Sequence, residues 1–115
     1  MTTPFIWFDH RSDAPSAAAT FYETLLGWAR PKSAPAGMTA FGDEKPWSGM
    51  VASEGIPAGW LPYARVDDLD AAVQRAESLG ASVVKARTRG PAGDFVVLTD
   101  PAGANIALWQ APAGA

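Results

Sequence analysis

Two glycines that can each stop a helix, Gly27 and Gly80, set the two halves of this chain on one another. With them aligned, Asp13 falls beside Asp67, and Trp7 falls beside the Trp60-Leu61 pair. A repeat of about half the chain limits the fold more than any short motif does, because both halves must then build the same supersecondary unit. The second half is the clearer copy. Trp60 to Val66 reads as a strand, Asp67 to Leu79 as a helix stopped by Gly80, and Ala81 to Ala86 as a second strand. Asp94 to Leu98 and Asn105 to Trp109 add two more. Between that last pair, Asp100-Pro101-Ala102-Gly103 has turn chemistry, since proline pre-sets φ and glycine accepts a positive φ, so the pair closes as a hairpin. The order is β-α-β-β-β.

The first half repeats that order more loosely. Pro4 to Asp9 contains the continuously apolar run Phe5-Ile6-Trp7-Phe8, as expected of a strand covered on both faces. Asp9-His10-Arg11-Ser12-Asp13 then breaks it, and Asp13 caps a helix with Pro15 in its first turn. Ala18, Phe21, Tyr22, Leu25 and Leu26 recur at helical spacing as one packing stripe until Gly27. From Trp28 to Ser53 prolines and glycines punctuate every few residues. Short strands fit at Met38 to Phe41 and Gly49 to Ala52, with a turn at Asp43-Glu44-Lys45-Pro46. Glu54-Gly55-Ile56-Pro57-Ala58-Gly59 reads as the link between modules spanning 1–58 and 59–115 of a single domain, 1–115. In the second helix Asp67 or Asp68 caps, Leu69, Ala72, Val73, Ala76 and Leu79 form the buried stripe, and Gln74, Arg75 and Glu77 face water.

Composition sets outer bounds. A chain of 115 residues, 48% hydrophobic, buries one core but not two, so the half-modules must share it. The net charge of −3, with no basic stripe, argues against nucleic acid and anionic membranes as partners and leaves neutral or cationic small molecules. Zero cysteines remove disulfides, thiolate nucleophiles and cysteine metal sites together. Met1-Thr2-Thr3-Pro4 lacks the features of a signal peptide and no apolar run is long enough for a membrane span, so a cytoplasmic location is expected. Lys85, Arg87 and Arg89 alternate ahead of Gly90-Pro91 and form either a solvated edge that discourages strand pairing or an anion-binding rim.

Phe21-Tyr22 with Leu26-Gly27-Trp28, Val66-Asp67-Asp68-Leu69-Asp70-Ala71-Ala72, Leu79-Gly80-Ala81, and Asp100-Pro101-Ala102-Gly103 followed by Leu108-Trp109-Gln110 carry a family resemblance in their order and spacing. Together they resemble the vicinal oxygen chelate superfamily, which includes glyoxalase I, bleomycin resistance proteins and extradiol dioxygenases. The resemblance covers nearly the whole chain. It implies an α+β fold of two βαβββ modules, with curled mixed sheets around a cleft, paired as a homodimer.

Metal-dependent relatives place a His or Glu at one inward position on each of four strands. Carried over one position at a time, those ligands fall on Trp7, Leu61 and Ala107, and the fourth falls near Gly49 to Ala52, where no donor stands either. Indole donates only through its N–H, and Leu61 and Ala107 carry no heteroatom, so no metal and no other cofactor is expected. His10 is the chain's only histidine, and strand alternation sends it to the face opposite Trp7, in a surface or loop role rather than as a ligand or base. Glyoxalase I chemistry, which needs a metal to hold an enediolate, is therefore not carried over.

Five tryptophans are several times a usual share for this length, and the resemblance puts Trp7, Trp60 or Leu61, Tyr63 and Trp109 around the cleft as an aromatic wall. With the polar groups Asp9, Tyr63, Arg65 and Asn105, this defines a candidate ligand site of Trp7, Asp9, Leu61, Tyr63, Arg65, Asn105, Ala107 and Trp109. Trp28 and Trp47 are assigned to helix-sheet or dimer packing. Asp9 shares Trp7's face and is a base of raised pKa, a partner for a cationic ligand, a strand-end charge in water, or a salt-bridge partner of Arg65. Three functions follow. The first is metal-free binding and sequestration of a small apolar or aromatic molecule, as in bleomycin-resistance-like relatives. The second is a metal-independent isomerase, cyclase or lyase with Asp9 or Tyr63 as acid/base. The third is a dimeric scaffold whose filled core leaves no site.

Overall fold

The computed structural model describes residues 4–31, 39–43 and 45–113, and the chain divides into two compact units. One is Trp7–Leu61; the other joins Met1–Ile6 to Pro62–Ala115. Seven strands and two helices are present among the described residues, an α+β composition as expected. No helix among them is long and apolar enough to cross a membrane.

The Trp7–Leu61 unit carries most of β1 (Phe5–Ser12), then α1 (Pro15–Leu26), β2 (Thr39–Phe41) and β3 (Ser48–Ala52). β3 lies between the other two, antiparallel to β2 through Phe41↔Ser48 and parallel to β1 through Asp9↔Gly49. The described residues of this half thus read β-α-β-β, with no further strand after β3. β1 runs three residues past the expected stop at Asp9, because the charges expected to break it pair with each other and need no water. Met38, at the start of an expected strand, and Glu44, within an expected turn, lie outside the described residues.

Helix α1 departs from expectation at its start. Its N-cap is Ala14, with no side-chain cap, and Pro15 supplies a first-turn residue that has no N–H to satisfy. Asp13 instead accepts a hydrogen bond from the Ser53 hydroxyl at 2.9 Å, while Ser12 Oγ accepts from the Ala14 N–H. Gly27 ends the helix in the left-handed region at φ +69°, its N–H donating to the Glu23 carbonyl. The packed face is narrower than the expected stripe. Ala19 is buried with Phe41 and Met50, and Ala18, Tyr22 and Trp28 pack against them. Phe21, Leu25 and Leu26 are exposed, since the apolar arc of this helix is wider than the strip of strand beneath it.

The other unit holds the greater part of β4 (Gly59–Arg65), then α2 (Leu69–Ser78), β5 (Ser82–Gly90), β6 (Gly93–Thr99) and β7 (Asn105–Gln110), in the strand order β4-β7-β6-β5. β4 and β7 are parallel, and the remaining neighbours are antiparallel. The expected hairpin closes at Asp100, whose Oδ1 accepts the N–H groups of Ala102 and Ala104 on either side of Gly103, which turns at φ +92°. Asp68 is the cap of α2, accepting the Ala71 N–H at 3.0 Å. Leu69, Val96 and Leu98 form the core here, with Val66, Val73, Ala76, Ile106 and Leu108 around them. Leu79 is exposed instead of completing the stripe, because α2 ends at Ser78 and Leu79 is already its C-cap.

The two helix starts give a paired prediction. Asp68→Ala should cost about 1 kcal/mol in urea unfolding through loss of the cap. Asp13→Ala, which removes only an exposed side-chain bond, should cost no more than about 0.5 kcal/mol.

Candidate functional site

Strand alternation places Trp7, Asp9 and Arg11 on one face of β1. Asp9 and Arg11 are charged yet only 5% and 6% exposed. Burial of that kind is tolerable only when the charges answer each other. One carboxylate oxygen of Asp9 accepts the Trp7 indole N–H at 2.6 Å, and the other accepts the Arg11 guanidinium at 2.9 Å. Arg11 also donates to the Ala52 carbonyl at 3.1 Å and lies 3.8 Å from Glu54. The salt bridge expected from Asp9 to Arg65 is therefore made to Arg11, two residues along the same strand.

His10 takes the opposite face, as its parity requires, but within a strand and not in a loop. Its ring meets Trp60 edge-on at 5.0 Å and Tyr22 at 5.7 Å, and its buried Nδ1 has no hydrogen-bond partner among the described residues. Trp60 thus belongs on the helix side, and the alternative Leu61, 2% exposed, takes the other side of β4.

Leu61, Tyr63 and Arg65 alternate along β4, and the register sets Tyr63 beside Ala107 and Arg65 beside Trp109 on β7. β6 extends the same face with Phe95 opposite Trp109, Val97 opposite Ala107 and Thr99 opposite Asn105. Five expected ligand residues, Tyr63, Arg65, Asn105, Ala107 and Trp109, are thereby brought to one face of β4 and β7. Their access differs. Tyr63, Phe95, Val97 and Ala107 are buried, with the Tyr63 and Phe95 rings 5.8 Å apart. Arg65 is exposed, its guanidinium carbon 5.7 Å from the Trp109 ring centroid, and the Asn105 amide oxygen accepts from Thr99 Oγ1 at 2.8 Å. The result is a closed apolar floor with a cationic, aromatic rim. Phe95 was missed by reading strands singly; its signal was the alternation Phe95, Val97, Thr99 against Trp109, Ala107, Asn105.

The positions where metal-dependent relatives carry ligands do not fit a metal ion. Trp7 spends its N–H on Asp9, Leu61 and Ala107 are buried hydrocarbon, and Asp9, the nearby carboxylate, has both oxygens engaged. Among the described residues no group of three or more His, Asp or Glu could hold one.

A separate cleft of about 400 Å³ opens where α2 faces β5 and β6. Val73, Val83, Ala86 and Val96 line it with Asp70, Gln74 and Arg87. Arg87 donates to Asp94 at 2.8 Å and to Asp70 at 3.0 Å, and these bonds, Asp94 first, hold its pKa above the ordinary arginine value. Its charge is answered twice over, so the basic alternation on β5 is not an anion-binding rim at Arg87.

Similarity to known proteins agrees with this arrangement. The family model described as a glyoxalase-like domain matches residues 6–109. CFP32 of Mycobacterium tuberculosis, named as a glyoxylase, is 34% identical over 116 residues, covering 91% of this chain and 44% of that protein. The anthracycline biosynthesis protein DnrV of Streptomyces peucetius is 32% identical over 125 residues, covering 90% of this chain and 46% of that one. The chain thus spans less than half the length of these relatives. Among solved structures, a glyoxalase/bleomycin resistance protein/dioxygenase superfamily member from Vibrio splendidus superposes with a TM-score of 0.62 at 12% identity, over 90% of this chain and 96% of that one. Methylmalonyl-CoA epimerase from Mycobacterium tuberculosis superposes with a TM-score of 0.56 at 16% identity, over 97% and 93%.

The buried triad can be tested by stability alone. Asp9→Ala strands the Arg11 charge and should cost about 3 kcal/mol in urea unfolding, and the double variant Asp9→Leu/Arg11→Met should regain most of that loss.

Proposed function

This chain belongs to the glyoxalase-like family, and from that premise we propose that it binds a small, planar, largely apolar molecule without help from a metal ion. The observation that carries the reading is the rim on β4 and β7. There the Arg65 guanidinium over Trp109 offers a flat stacking surface at one end of a floor of Tyr63, Phe95 and Ala107, and Asn105 stands at the other end of that floor, four residues along β7. Stacking surfaces with few polar groups suit flat aromatic ligands, which gain from dispersion and from the guanidinium's weak hydration. The Streptomyces relative is named for anthracycline biosynthesis, and an anthracycline is a fused, planar ring system. Trp7 and Asp9, in the other unit, are proposed as ligand contacts of their own, with Asp9 orienting the indole. Sequestration in the cytoplasm fits this better than turnover, because of the two acid/base candidates Asp9 is spent on Trp7 and Arg11 and Tyr63 is buried in the floor.

Thermal shift and indole fluorescence with a panel of planar quinones test the reading. A binder should raise the melting temperature and quench emission with no product formed, since a ligand selective for the native state stabilises it. Arg65→Ala and Trp109→Ala should each weaken binding roughly tenfold, worth ~1.4 kcal/mol. Added Ni²⁺, Zn²⁺, Mn²⁺ or Fe²⁺ should not change the melting temperature. A metal-dependent rise, or metal-dependent turnover, would overturn the proposal.

The same proposal includes a homodimer. Phe21, Leu25 and Leu26 leave an apolar stripe of α1 uncovered, a face that a second copy of the chain would cover. Sedimentation should give twice the monomer mass, and Leu25→Asp/Leu26→Asp should reduce it to that of one chain.

A further inference from the structure

The cleft between α2 and β5 lies on the opposite side of the sheet from the Arg65–Trp109 rim, because Val96 packs against α2 while Phe95 and Val97 take the other face. Val96 is its buried floor. Asp70, Val73 and Gln74, spaced three and four apart on α2, make one wall, and Val83, Ala86 and Arg87 on β5 make the other. Regular alternation would send the neighbours Ala86 and Arg87 to opposite faces. β5 avoids this through register shifts against β6, between Val83 and Lys85 and between Lys85 and Thr88, irregularities of the kind that re-aim a side chain. Arg87 thereby reaches across the cleft to Asp70 on the helix at 3.0 Å, while Asp94 on β6 holds its Nε at 2.8 Å. Val83 stays 39% exposed, so this apolar wall is open to water.

We propose that this cleft binds a short aliphatic primary ammonium ion. Its volume of about 400 Å³ falls within the range of roughly 300–1,000 Å³ typical of small-molecule sites. Val73, Val83, Ala86 and Val96 offer hydrocarbon to the ligand's chain and no aromatic ring, so a flat ligand gains no stacking there. The polar end selects the head group. Asp70 gives one carboxylate oxygen to Arg87 and has no bond on the other among the described residues, and the Gln74 amide oxygen is likewise unengaged there. Two acceptors one helical turn apart suit a primary ammonium, which must exchange its water for hydrogen bonds. The charge balance also favours a cation. One guanidinium answers two carboxylates, and Arg89, 4.0 Å from Asp94 with its side chain 91% exposed, adds only a screened contribution. A carboxylate ligand would meet Asp70 and Asp94 with its own sign.

The test titrates the full chain with isopentylamine, isopentanol, isovalerate and methylamine at constant ionic strength and about pH 7, where an alkylamine is charged, and follows backbone amide shifts by NMR. Isopentylamine should shift the amides of Val73, Gln74, Ala86 and Arg87 saturably and bind roughly threefold more tightly than isopentanol, which keeps the hydrocarbon and lacks the charge. Methylamine, with the charge but no chain, and isovalerate, with a chain but the opposite charge, should give no saturable shift over the same range. Asp70→Asn should bring isopentylamine down to the affinity of isopentanol and leave isopentanol unchanged, and Val83→Thr should weaken both roughly twofold by removing a methyl from the wall. Both side chains are exposed enough for the variants to fold. No saturable shift with isopentylamine, equal affinity for isopentylamine and isopentanol, isovalerate binding as tightly, unchanged isopentylamine affinity in Asp70→Asn, or shifts at Arg65 and Trp109 instead of the cleft would each overturn the inference.

Discussion

The bond from Arg11 to Asp9 decides what β1 can be. Two opposite charges two residues apart on a strand share a face, so a sequence that reads as a charged break becomes an extended strand once the pair closes on itself. The closure is nearly complete. One carboxylate oxygen takes the guanidinium, the other takes the Trp7 indole, and the guanidinium reaches on to the Ala52 carbonyl at the end of β3. Because β1 runs in parallel beside β3, the pair ties the strand's far end to its neighbour and sets Asp9 opposite Gly49, which adds no side chain of its own. Continuing the strand to Ser12 also fixes where α1 begins. The turn is left only Asp13 and Ala14, and the helix starts on Pro15 without a side-chain cap.

The second half was legible in its sequence because its signals agree. The β-forming run Asp94 to Leu98, the Asp100 turn and the Asp68 cap each specify local structure that the fold keeps, and the departures are at element ends, where Leu79 falls outside α2 and β5 runs past Ala86 to Gly90. The first half was less so, because its signals conflict. Asp9, His10 and Arg11 read as polar one at a time, and only their partners reveal that they belong inside. The α1 stripe misled for a different reason. Hydrophobic periodicity reports which residues could be covered, not how wide the covering strip is, and here small residues, Ala18 and Ala19, make the close approach while Leu25 and Leu26 stay outside. Leu79 failed in the same way, one residue past the end of its helix.

Parity did most to locate the candidate site. A one-residue ambiguity, Trp60 or Leu61, separates a ring on the helix side from a methyl-bearing chain on the other face, and a strand gives no intermediate choice. With Leu61 facing in, Tyr63 and Arg65 follow it, and the parallel register with β7 brings Ala107 and Trp109 alongside. With Trp60 facing out, it joins His10, Tyr22, Trp28 and Trp47. The tryptophan content therefore has two explanations, one for each side of the strands. Composition alone could not divide them, since it records how many indoles there are and not which way each points.

Hydrocarbon at Leu61 and Ala107, where metal-dependent relatives carry ligands, has a physical consequence for the packing. A divalent ion pulls donors from several strands to a common centre and orders the strands that carry them; hydrocarbon at the same positions can hold strands together only by filling the space between them. Ala107 and Leu61 are small and medium-sized, so the filling falls to neighbours on the same face, and the Tyr63-Phe95 contact supplies it. A floor closed by its own side chains leaves no room between its strands, so the proposed ligand would meet only the groups still in contact with water. On β4 and β7 those groups are Arg65, Trp109 and Asn105. Groups of that kind offer a ligand stacking and charge, which is why the proposed ligand is placed on them.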